Sequence, residues 1–366
     1  MELRTIIQQI DPRKPVPGGV DTCIRGLVRY CPPNIRLRIA GVDAVGNRPL
    51  GVWTTEEIQG VEVEFLALTR LDAGNQRRLI PHSIRMLWGM IRFRDRLRSA
   101  TVQTHRVELG AAAQLLLSPP KHVQFLHIDG KDSLAAGSDS FWKYLKFGYA
   151  SLERHVLPRA SDVVVFSGQG ADRLSGLDAQ VRFSPTWFDP EIAFPPQVFS
   201  PATRVLMVAR IEPPKDPLLA VRVMASLPDE FTLTVVGDGT LRRAMEQEAQ
   251  RLGVSSRITF TGAVPKERVG ELMREHGTMI MTSHYEGFPR AVVEGLASGL
   301  RVVTTQGGEP NGLVVDGKNG RRALGRSPEE LAALVQSAGD IAPSDAVDSV
   351  SYLSAPRVVA EVLRTT

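Results

Sequence analysis

Residues 278–305, "TMIMTSHYEGFPRAVVEGLASGLRVVTT", hold two short apolar runs on either side of a stretch with helical spacing. The first run, "TMIMTSH", and the last, "LRVVTT", have the length and composition of buried strands. Between them, "PRAVVEGLAS" at 289–298 places apolar residues at helical intervals and begins with Pro289, which suits the first turn of a helix. A strand, a helix and a strand in this order predict one unit of a parallel sheet.

The same alternation extends along the chain. Strand-like runs precede this unit at "RTIIQQI", "IRLRIAGV", "VEVEFLAL", "SATVQTH", "HVQFLHI", "SDVVVFS", "TRVLMVA", "FTLTVVGDG" and "RITFTGAV". Residues 184–201 interrupt the pattern with five prolines, which cannot continue a helix or a central strand, and are interpreted as a linker. The pattern predicts an α/β fold of two Rossmann-like, doubly wound parallel-sheet domains, 1–190 and 191–345, facing a central cleft for a ligand. A C-terminal helix in 346–366 is expected to pack back on the first domain.

The composition is that of a globular protein. Of the 366 residues, 43% are hydrophobic and 23% charged, and the formal net charge of only +4 does not indicate a nucleic-acid partner. There is no apolar window long enough to span a membrane, so we expect a cytoplasmic protein or one on the cytoplasmic face of a membrane. Cys23 and Cys31 lie eight positions apart without a histidine cluster near them in the sequence, and we expect reduced packing residues rather than a zinc site or a disulfide.

Two acids, Glu286 and Glu294, lie eight positions apart around the start of the predicted helix. Backbone amides at a helix start, here near Gly287 and Phe288, carry the positive end of the helix dipole and suit a phosphate. The alternative is a capped surface helix with a solvated glutamate.

Two cations, Arg210 and Lys215, follow the strand that ends at Ala209 and are predicted to lie at the carboxyl edge of the sheet. An arginine fork and a lysine point charge would together neutralise a diphosphate. The alternative is a pair of surface charges.

The stretch "VVGDGTLRR" at first suggests a dinucleotide-binding loop. Gly237 and Gly239 have the right spacing, but Arg242 stands where the third glycine of such a loop is needed. The sequence therefore argues against a bound dinucleotide.

In the first domain, Gly18 and Gly19 lie between a predicted strand and a predicted helix, where backbone could approach a ligand or simply turn. His105 and His127 both end predicted strands and point to the same cleft, although a histidine in such a place is often structural. The chain has no D-x-D motif, so we expect a site that works without a metal or another cofactor.

Together these residues resemble glycosyltransferase family 4, a group of retaining enzymes with the GT-B fold. The similarity is strongest from Thr203 to Asn319 and rests on four segments in order: "VARIEPPK", "VVGDGTLRRAMEQEAQRLGVSSRITFTGAVP", Glu286-x7-Glu294 and "GGEPNGLVVDGKNGRRA". One departure is Asn311 in Gly307-Gly308-Glu309-Pro310-Asn311, because the family usually has Gly-Gly-x-Pro-Glu with a glutamate at that position; either the preference for an acid is relaxed here or Glu309 substitutes.

The resemblance implies roles for individual residues. In the second domain, Arg210 and Lys215 would hold the donor diphosphate, Glu294 the nucleotide ribose and Glu286 the donor sugar. The residues expected near the donor are, besides these, Gly287, Phe288, Pro289, Arg290 and, from the first domain, Gly18 and Gly19. His127 would lie beside the reacting sugar carbon and act with Glu286, Arg210 and Lys215. His105, Arg106 and Asp129 are expected on the acceptor side.

The implied reaction moves a hexose from a nucleoside-diphosphate sugar, linked to UDP or GDP, to a glycan or lipid-linked acceptor with retention. Two alternatives remain open on the same architecture: a sugar-nucleotide epimerase that uses paired carboxylates, and a catalytically silent scaffold subunit.

Residues 77–98, "RRLIPHSIRMLWGMIRFRDRLR", hold seven arginines and one aspartate with apolar residues among them. Arg85, Arg92 and Arg96 share a helical face beside an apolar stripe, which is typical of a helix at an anionic membrane. The alternative is an ordinary helix whose apolar stripe belongs to the core.

Overall fold

The computed structural model describes residues 1–16, 19–71, 82–127 and 146–364, without the side chains of 82, 83, 146 and 147. The chain divides into two compact units. The first consists of Met1–Ser184 and the chain from Val359 onward, and the second of Pro185–Val358.

The first unit contains an eight-stranded sheet. Its strands are β1 (Glu2–Ile7), β2 (Ile35–Asp43), β3 (Trp53–Ile58), β4 (Val61–Arg70), β5 (Thr101–Thr104), β6 (Lys121–Leu126), β7 (Asp162–Val165) and β8 (Val181–Phe183). They lie in the order β3-β4-β2-β1-β5-β6-β7-β8. All neighbours are parallel except β3 and β4, a hairpin absent from the prediction. Gln59 and Gly60, with φ of 52° and 80°, form the two-residue turn that such a hairpin needs.

Helices cover this sheet and build its core. The helices are α1 (Gly19–Arg29), α2 (His82–Arg92), α3 (Arg94–Leu97), α4 (Val107–Leu117), α5 (Lys146–Val156) and α6 (Gly168–Leu174). One core cluster joins Ile7 and Leu66 of the sheet to Met86 and Met90 of α2 and to Leu109 of α4. Strands covered by helices in this way read as nearly continuous apolar runs, which is why the sequence showed them.

The second unit contains a six-stranded parallel sheet. Its strands are β9 (Arg204–Val208), β10 (Thr232–Val236), β11 (Ile258–Gly262), β12 (Thr278–Met281), β13 (Arg301–Thr304) and β14 (Gly320–Arg322), in the order β11-β10-β9-β12-β13-β14. Its helices are α7 (Pro217–Ala225), α8 (Arg242–Arg251), α9 (Lys266–Arg274), α10 (Arg290–Ala297), α11 (Pro328–Ser337) and α12 (Pro343–Val350). The last helix, α13 (Ala355–Leu363), begins in this unit and ends in the first, which includes the chain from Val359 onward. Residues 278–305 form β12, α10 and β13, and β12 pairs with β13 in parallel, as predicted.

Each sheet reverses its direction of winding at one place. In the first unit the chain proceeds from β1 to β2 on one side and from β5 to β6 on the other, so β1 and β5 flank the reversal. In the second unit β9 and β12 flank it. Ligands of doubly wound sheets bind outside the carboxyl ends of such strand pairs. The loops after β1, β5, β9 and β12 are therefore the places to look for a site.

The proline-rich segment 184–201 is not a bare linker. Its prolines exclude regular helix and strand, as predicted, but Trp187 is only 1% exposed and the Phe188 amide donates to the Leu353 carbonyl at 3.1 Å. The apolar residues between the prolines thus fix the segment to the second unit.

The last helix brings the C-terminus to the first unit. The carbonyl of Val362 accepts a hydrogen bond from Arg182 at 2.7 Å, and that of Leu363 accepts one from the buried Arg4 at 2.8 Å. Among the described residues, the helices are too short or too polar to cross a membrane.

Candidate active site

Lys215 and Glu286 meet at the carboxyl edge of the second sheet. Lys215 ends a 3-10 turn, Pro213–Lys215, in the loop after β9, whereas Glu286 lies in the loop after β12. The Lys215 Nζ lies 2.5 Å from Glu286 Oε1, and the two side chains are 19% and 14% exposed. Ser283 Oγ also donates to Glu286 Oε1, at 2.7 Å. The family resemblance implies separate roles for these two residues, whereas the structure joins them in one ion pair at the β9/β12 reversal.

Arg326 fixes both loops of this ion pair, and sequence reasoning missed it. Its guanidinium donates to Asp216 Oδ2 at 2.6 Å, to the Thr282 carbonyl at 2.7 Å and to the Ser283 carbonyl at 3.2 Å. Asp216 has a φ of 40°, which is uncommon for a residue with a side chain. Asp216 and Arg326 are 110 positions apart, so no local signal could have revealed the contact.

Arg210 lies in the same loop as Lys215 but keeps its side chain on the surface. Neighbouring Glu212 accepts hydrogen bonds from the amide and the hydroxyl of Thr240, at 3.0 and 2.6 Å. These two bonds, with a further contribution from the charge of Arg210, lower the pKa of the Glu212 carboxyl. Arg210 is thus an exposed cation after the end of β9, near the Glu212 carboxylate, which is already hydrogen-bonded to Thr240.

The helix start predicted to hold phosphate lies beside these loops. α10 begins at Arg290, with Pro289 at the N-cap position and no side chain capping the first amides. Arg290 donates to Thr186 Oγ1 at 2.9 Å and lies 3.9 Å from Glu294, one turn further on. Glu294 is 26% exposed; desolvation raises the pKa of its carboxyl and the charge of Arg290 lowers it. Gly287 and Phe288 precede the cap, so the predicted donor residues from Glu286 to Arg290 follow one another directly in the chain.

The side chains of Glu309 and Asn311, in the loop after β13, form hydrogen bonds with different parts of the structure. Glu309 is fully buried and accepts hydrogen bonds from the amides of Asn311 at 2.7 Å and Val314 at 3.2 Å. The Asn311 side chain donates to the Gly287 carbonyl at 2.7 Å. The Glu309 carboxylate therefore stabilises its own loop. The side-chain amide of Asn311 links that loop to the backbone of Gly287, between Glu286 and α10.

The glycines of "VVGDG" have a structural cause. Gly237 has a φ of 132°, and a Cβ there would come within 1.9 Å of the Ala209 carbonyl. The loop after β10 therefore packs directly on the loop after β9, which explains the glycine without a dinucleotide.

In the first unit, the two predicted histidines are in direct contact. His105 follows β5 and His127 follows β6, and His105 Nδ1 lies 2.8 Å from His127 Nε2. His105 is 4% exposed, and its Nε2 lies 2.8 Å from the side-chain amide nitrogen of buried Gln103. The rings of Phe125 and Phe166 pack against the pair. Burial lowers the pKa of His105 well below its usual value, and the proximity of His127 lowers it further.

The remaining predicted residues of the first unit are less engaged. Gly19 begins α1 and is exposed, with no atom within 4 Å of the place of a Cβ. Arg106 is paired with Glu108 at 2.9 Å. Gly18 and Asp129 lie outside the described residues, so their expected places are not seen.

Cys23 lies near the histidine pair, contrary to the inference from sequence that no histidine cluster accompanies the cysteines. The ligand atoms of Cys23, His105 and His127 lie within 4.8 Å of one another, and within the described part of the chain this set could hold a soft cation. Cys23 is 82 positions from His105 and 104 from His127, so only folding brings it to the histidines. Both cysteines are thiols.

Comparison with known proteins relates the second half of the chain to a family of enzymes. The family model described as "Glycosyl transferases group 1" matches residues 189–342. The putative glycosyltransferase EpsF of Bacillus subtilis (strain 168) is 32% identical over 178 residues, which are 46% of this chain and 40% of that protein. This chain thus spans about two fifths of the length of that curated relative.

Solved structures resemble the chain over almost its whole length. Sucrose-phosphate synthase from Thermosynechococcus elongatus has a TM-score of 0.79 at 18% identity, with 99% of this chain and 97% of that one covered. Anabaena Alr3699/HepE in complex with UDP and glucose has a TM-score of 0.73 at 17% identity, with 99% and 98% covered. Identities this low show the fold alone, and they confirm the predicted GT-B class of two Rossmann-like domains.

Proposed function

Because residues 189–342 match the model of the group 1 glycosyl transferases, we propose that this chain transfers a hexose from a nucleoside-diphosphate sugar to a glycan or lipid-linked acceptor with retention. The observation that carries the proposal is the junction of Lys215 and Glu286, with Arg210 and the start of α10, at the β9/β12 reversal. The neighbour HepE binds UDP and glucose, which favours UDP as the carrier.

The proposed chemistry depends on stabilising a leaving diphosphate. The bond between the anomeric carbon and the diphosphate oxygen breaks, and the ammonium of Lys215, the guanidinium of Arg210 and the α10 amides offset the charge on the leaving oxygens. The acceptor hydroxyl forms the new bond on the same face, and its proton passes to the departing phosphate. Glu286 would accept hydrogen bonds from donor-sugar hydroxyls, and Glu294 from the ribose. Retention follows from the family resemblance.

Ligand stabilisation tests the donor. UDP and UDP-sugars should stabilise the protein in the absence of metal, while GDP and ADP should have a smaller effect. At 100 times its dissociation constant a ligand adds about 2.7 kcal/mol to the free energy of unfolding, which corresponds to roughly 5–10 °C in the melting temperature of a domain of this size. A thermal-shift screen measures this. Silence across all nucleotides would favour the scaffold, and release of free nucleotide without an acceptor would favour the epimerase.

Metal removal is a separate prediction. Because cationic side chains and helix amides would stabilise the leaving group, transfer should proceed at an unchanged rate after treatment with EDTA. The rate should be compared before and after dialysis against EDTA, and again with added Mg²⁺ or Mn²⁺. A rate that falls with EDTA and returns with either ion would contradict the proposal that side chains and helix amides stabilise the leaving diphosphate without a metal.

We also propose that the surface of α2 and α3 contacts an anionic membrane that carries the acceptor. Met86 and Met90 face the core, as the alternative interpretation required, but other apolar side chains of α2 do not. Trp88 is 68% exposed, and Ile84, Leu87 and Ile91 are 36–43% exposed. Exposed apolar residues beside cations are what an interfacial helix presents to lipid.

The cations of this surface differ from those expected. Arg92 is exposed, but Arg85 is half-buried and Arg96 donates to the Gly51 carbonyl. Arg94, Arg96 and Arg98 are exposed as well. Of the expected face of Arg85, Arg92 and Arg96, only Arg85 is therefore not an exposed cation. The part of 77–98 before His82 lies outside the described residues.

Membrane binding should depend on Trp88. Trp88→Glu removes the most exposed aromatic side chain of α2 and adds a like charge, so binding to phosphatidylglycerol vesicles should weaken roughly ten- to hundredfold. Leu324→Glu is the matched control, since Leu324 is 95% exposed in the second unit. Vesicle co-sedimentation measures the difference. Equal binding of both variants and the wild type would remove this surface from the proposal.

A further inference from the structure

A buried row of polar side chains leads from Arg4 to His127 in the first unit. One guanidinium nitrogen of Arg4, Nη1, lies 3.5 Å from Gln103 Oε1, and Gln103 Nε2 lies 2.8 Å from His105 Nε2. His105 Nδ1 then lies 2.8 Å from His127 Nε2. Arg4 and Gln103 are 0% exposed. Four consecutive groups are therefore linked by three contacts at or within hydrogen-bond distance.

The two histidine rings are arranged for a hydrogen bond rather than for stacking. Their planes differ by 15° and their centroids are 5.1 Å apart. The distance between the centroids equals the distance between Nδ1 and Nε2 plus the distance from each nitrogen to the centre of its own ring. The two nitrogens and the two centroids therefore lie on one line, and the rings meet edge to edge in nearly one plane. A single proton must lie between two neutral rings in this geometry, and the neighbours of His105 decide which nitrogen carries it.

The row has a direction because it begins at a group that can only donate. An arginine has no acceptor and keeps its charge in proteins, so the Gln103 oxygen faces Arg4 and the Gln103 amide NH₂ faces His105. Arg4 is itself held by Glu2 at 3.0 Å and by the Leu363 carbonyl at 2.8 Å. An NH₂ group can only donate, so His105 Nε2 must accept. Neutral His105 then carries its proton on Nδ1 and donates it to His127 Nε2.

We infer that Arg4, Gln103 and His105 are positioning residues that fix His127 in the tautomer with its proton on Nδ1. The burial of Gln103 and His105 supports this, because neither side chain can readily exchange its partner for water. The inference rests on the proposed function for its consequence: the family resemblance implies that His127 lies beside the reacting sugar carbon, and the tautomer decides which of its ring nitrogens carries a proton there. Second neighbours commonly orient a functional histidine in this way.

Nitrogen NMR of histidine tests the tautomers directly and needs no substrate. The protein is labelled with ¹⁵N-histidine, treated with EDTA so that no cation bridges Cys23 and the histidines, and assigned with single His→Gln variants. Protonated and unprotonated ring nitrogens of neutral histidine differ widely in chemical shift. We expect His105 and His127 both to carry the proton on Nδ1, opposite to the tautomer that predominates in free histidine. A proton on Nε2 of His105 would overturn the inference.

Two substitutions test whether the row of hydrogen bonds from Arg4 to His127 sets the tautomers or whether these side chains only pack together. Gln103→Leu removes the donor, so the signals of His105 and His127 should shift toward tautomer mixtures. Gln114→Leu is the matched control: Gln114 Nε2 contacts His122 Nδ1 at 2.9 Å, so only the signals of His122 should change. If Gln103→Leu leaves the tautomer of His127 unchanged, the inference that Gln103 fixes this tautomer through His105 is wrong. Should that variant not fold, the wild-type spectrum still decides the inference.

Activity provides a second measurement that separates this inference from the proposed function. Gln103→Leu should lower kcat for transfer roughly tenfold, the order of one lost hydrogen bond, with little change in KM for the donor. If the wild-type protein shows the expected tautomers but no transferase activity, the tautomer inference stands and the proposed function is rejected. If it transfers hexose but shows the opposite tautomers, the proposed function stands and the tautomer inference is rejected.

Discussion

Lys215→Ala should lower kcat for hexose transfer by about 10²–10³, the loss of about 2.7–4 kcal/mol that follows removal of one group that stabilises a developing negative charge. Lys215 is held at the end of β9 by its ion pair with Glu286 and by the Thr282 hydroxyl, which donates to the Lys215 carbonyl at 2.9 Å. The ammonium is thus fixed before the reaction, and charge on the diphosphate grows as the sugar leaves. An interaction that strengthens in this way lowers the barrier more than it improves donor binding.

Steady-state kinetics with the preferred UDP-sugar measures the effect, and kcat should fall more than KM rises. Lys318→Ala is the matched control, because Lys318 is an exposed lysine of the same unit and lies in a turn. Glu286→Gln in the Lys215→Ala background should cost less than it does alone, since the two side chains share one contact. Unchanged turnover of Lys215→Ala would remove Lys215 from the site.

Glu309→Ala should lower the free energy of unfolding by about 2–5 kcal/mol. The buried carboxylate accepts from the backbone amides of Asn311 and Val314, and alanine would leave the Val314 amide buried and unpaired and the half-buried Asn311 amide without this acceptor. Each buried unpaired donor costs about 1–3 kcal/mol, and a residual cavity adds to this cost. Because Asn311 also donates to Gly287, donor stabilisation by UDP should weaken as well.

Urea unfolding of the Glu309→Ala variant measures the loss, with Glu267→Ala as a control at a side chain that is 65% exposed. Asn311→Ala separates the two functions of the loop: the Asn311 amide still donates to Glu309, so stability should change little while the response to UDP decreases. If Glu309→Ala were as stable as the control, the carboxylate would not hold this loop, and a role toward the donor would have to be reconsidered.

The fold was predictable because it depends on local pattern. Strands such as β12 and β13 are covered on both faces and are therefore apolar throughout, and α10 between them shows helical spacing. The hairpin of β3 and β4 was missed because polar residues interrupt β3, although Gln59 and Gly60 provide a turn signal. The proline-rich segment was assigned to a linker because its packing on the second unit depends on residues distant in sequence.

Part of the candidate site was predictable for the same reason. Arg210, Lys215 and Glu286 directly follow strands, and the order of elements carries the ends of β9 and β12 to the point where the sheet reverses. Their partners were not predictable. Arg326 reaches Asp216 across 110 positions, and Asn311, which stands where the family usually has glutamate, donates to the Gly287 carbonyl while Glu309 turns inward.

The sequence by itself determined the α/β class, the two Rossmann-like domains and the strand ends at which charged and histidine side chains appear, because periodicity and residue order are local properties. Only the tertiary structure decided that Lys215 pairs with Glu286, that Glu309 turns inward, and that His105 connects Gln103 to His127. These outcomes depend on distances between atoms far apart in the chain, and hydrogen bonds and ion pairs form only where packing brings such atoms within about 3 Å of each other.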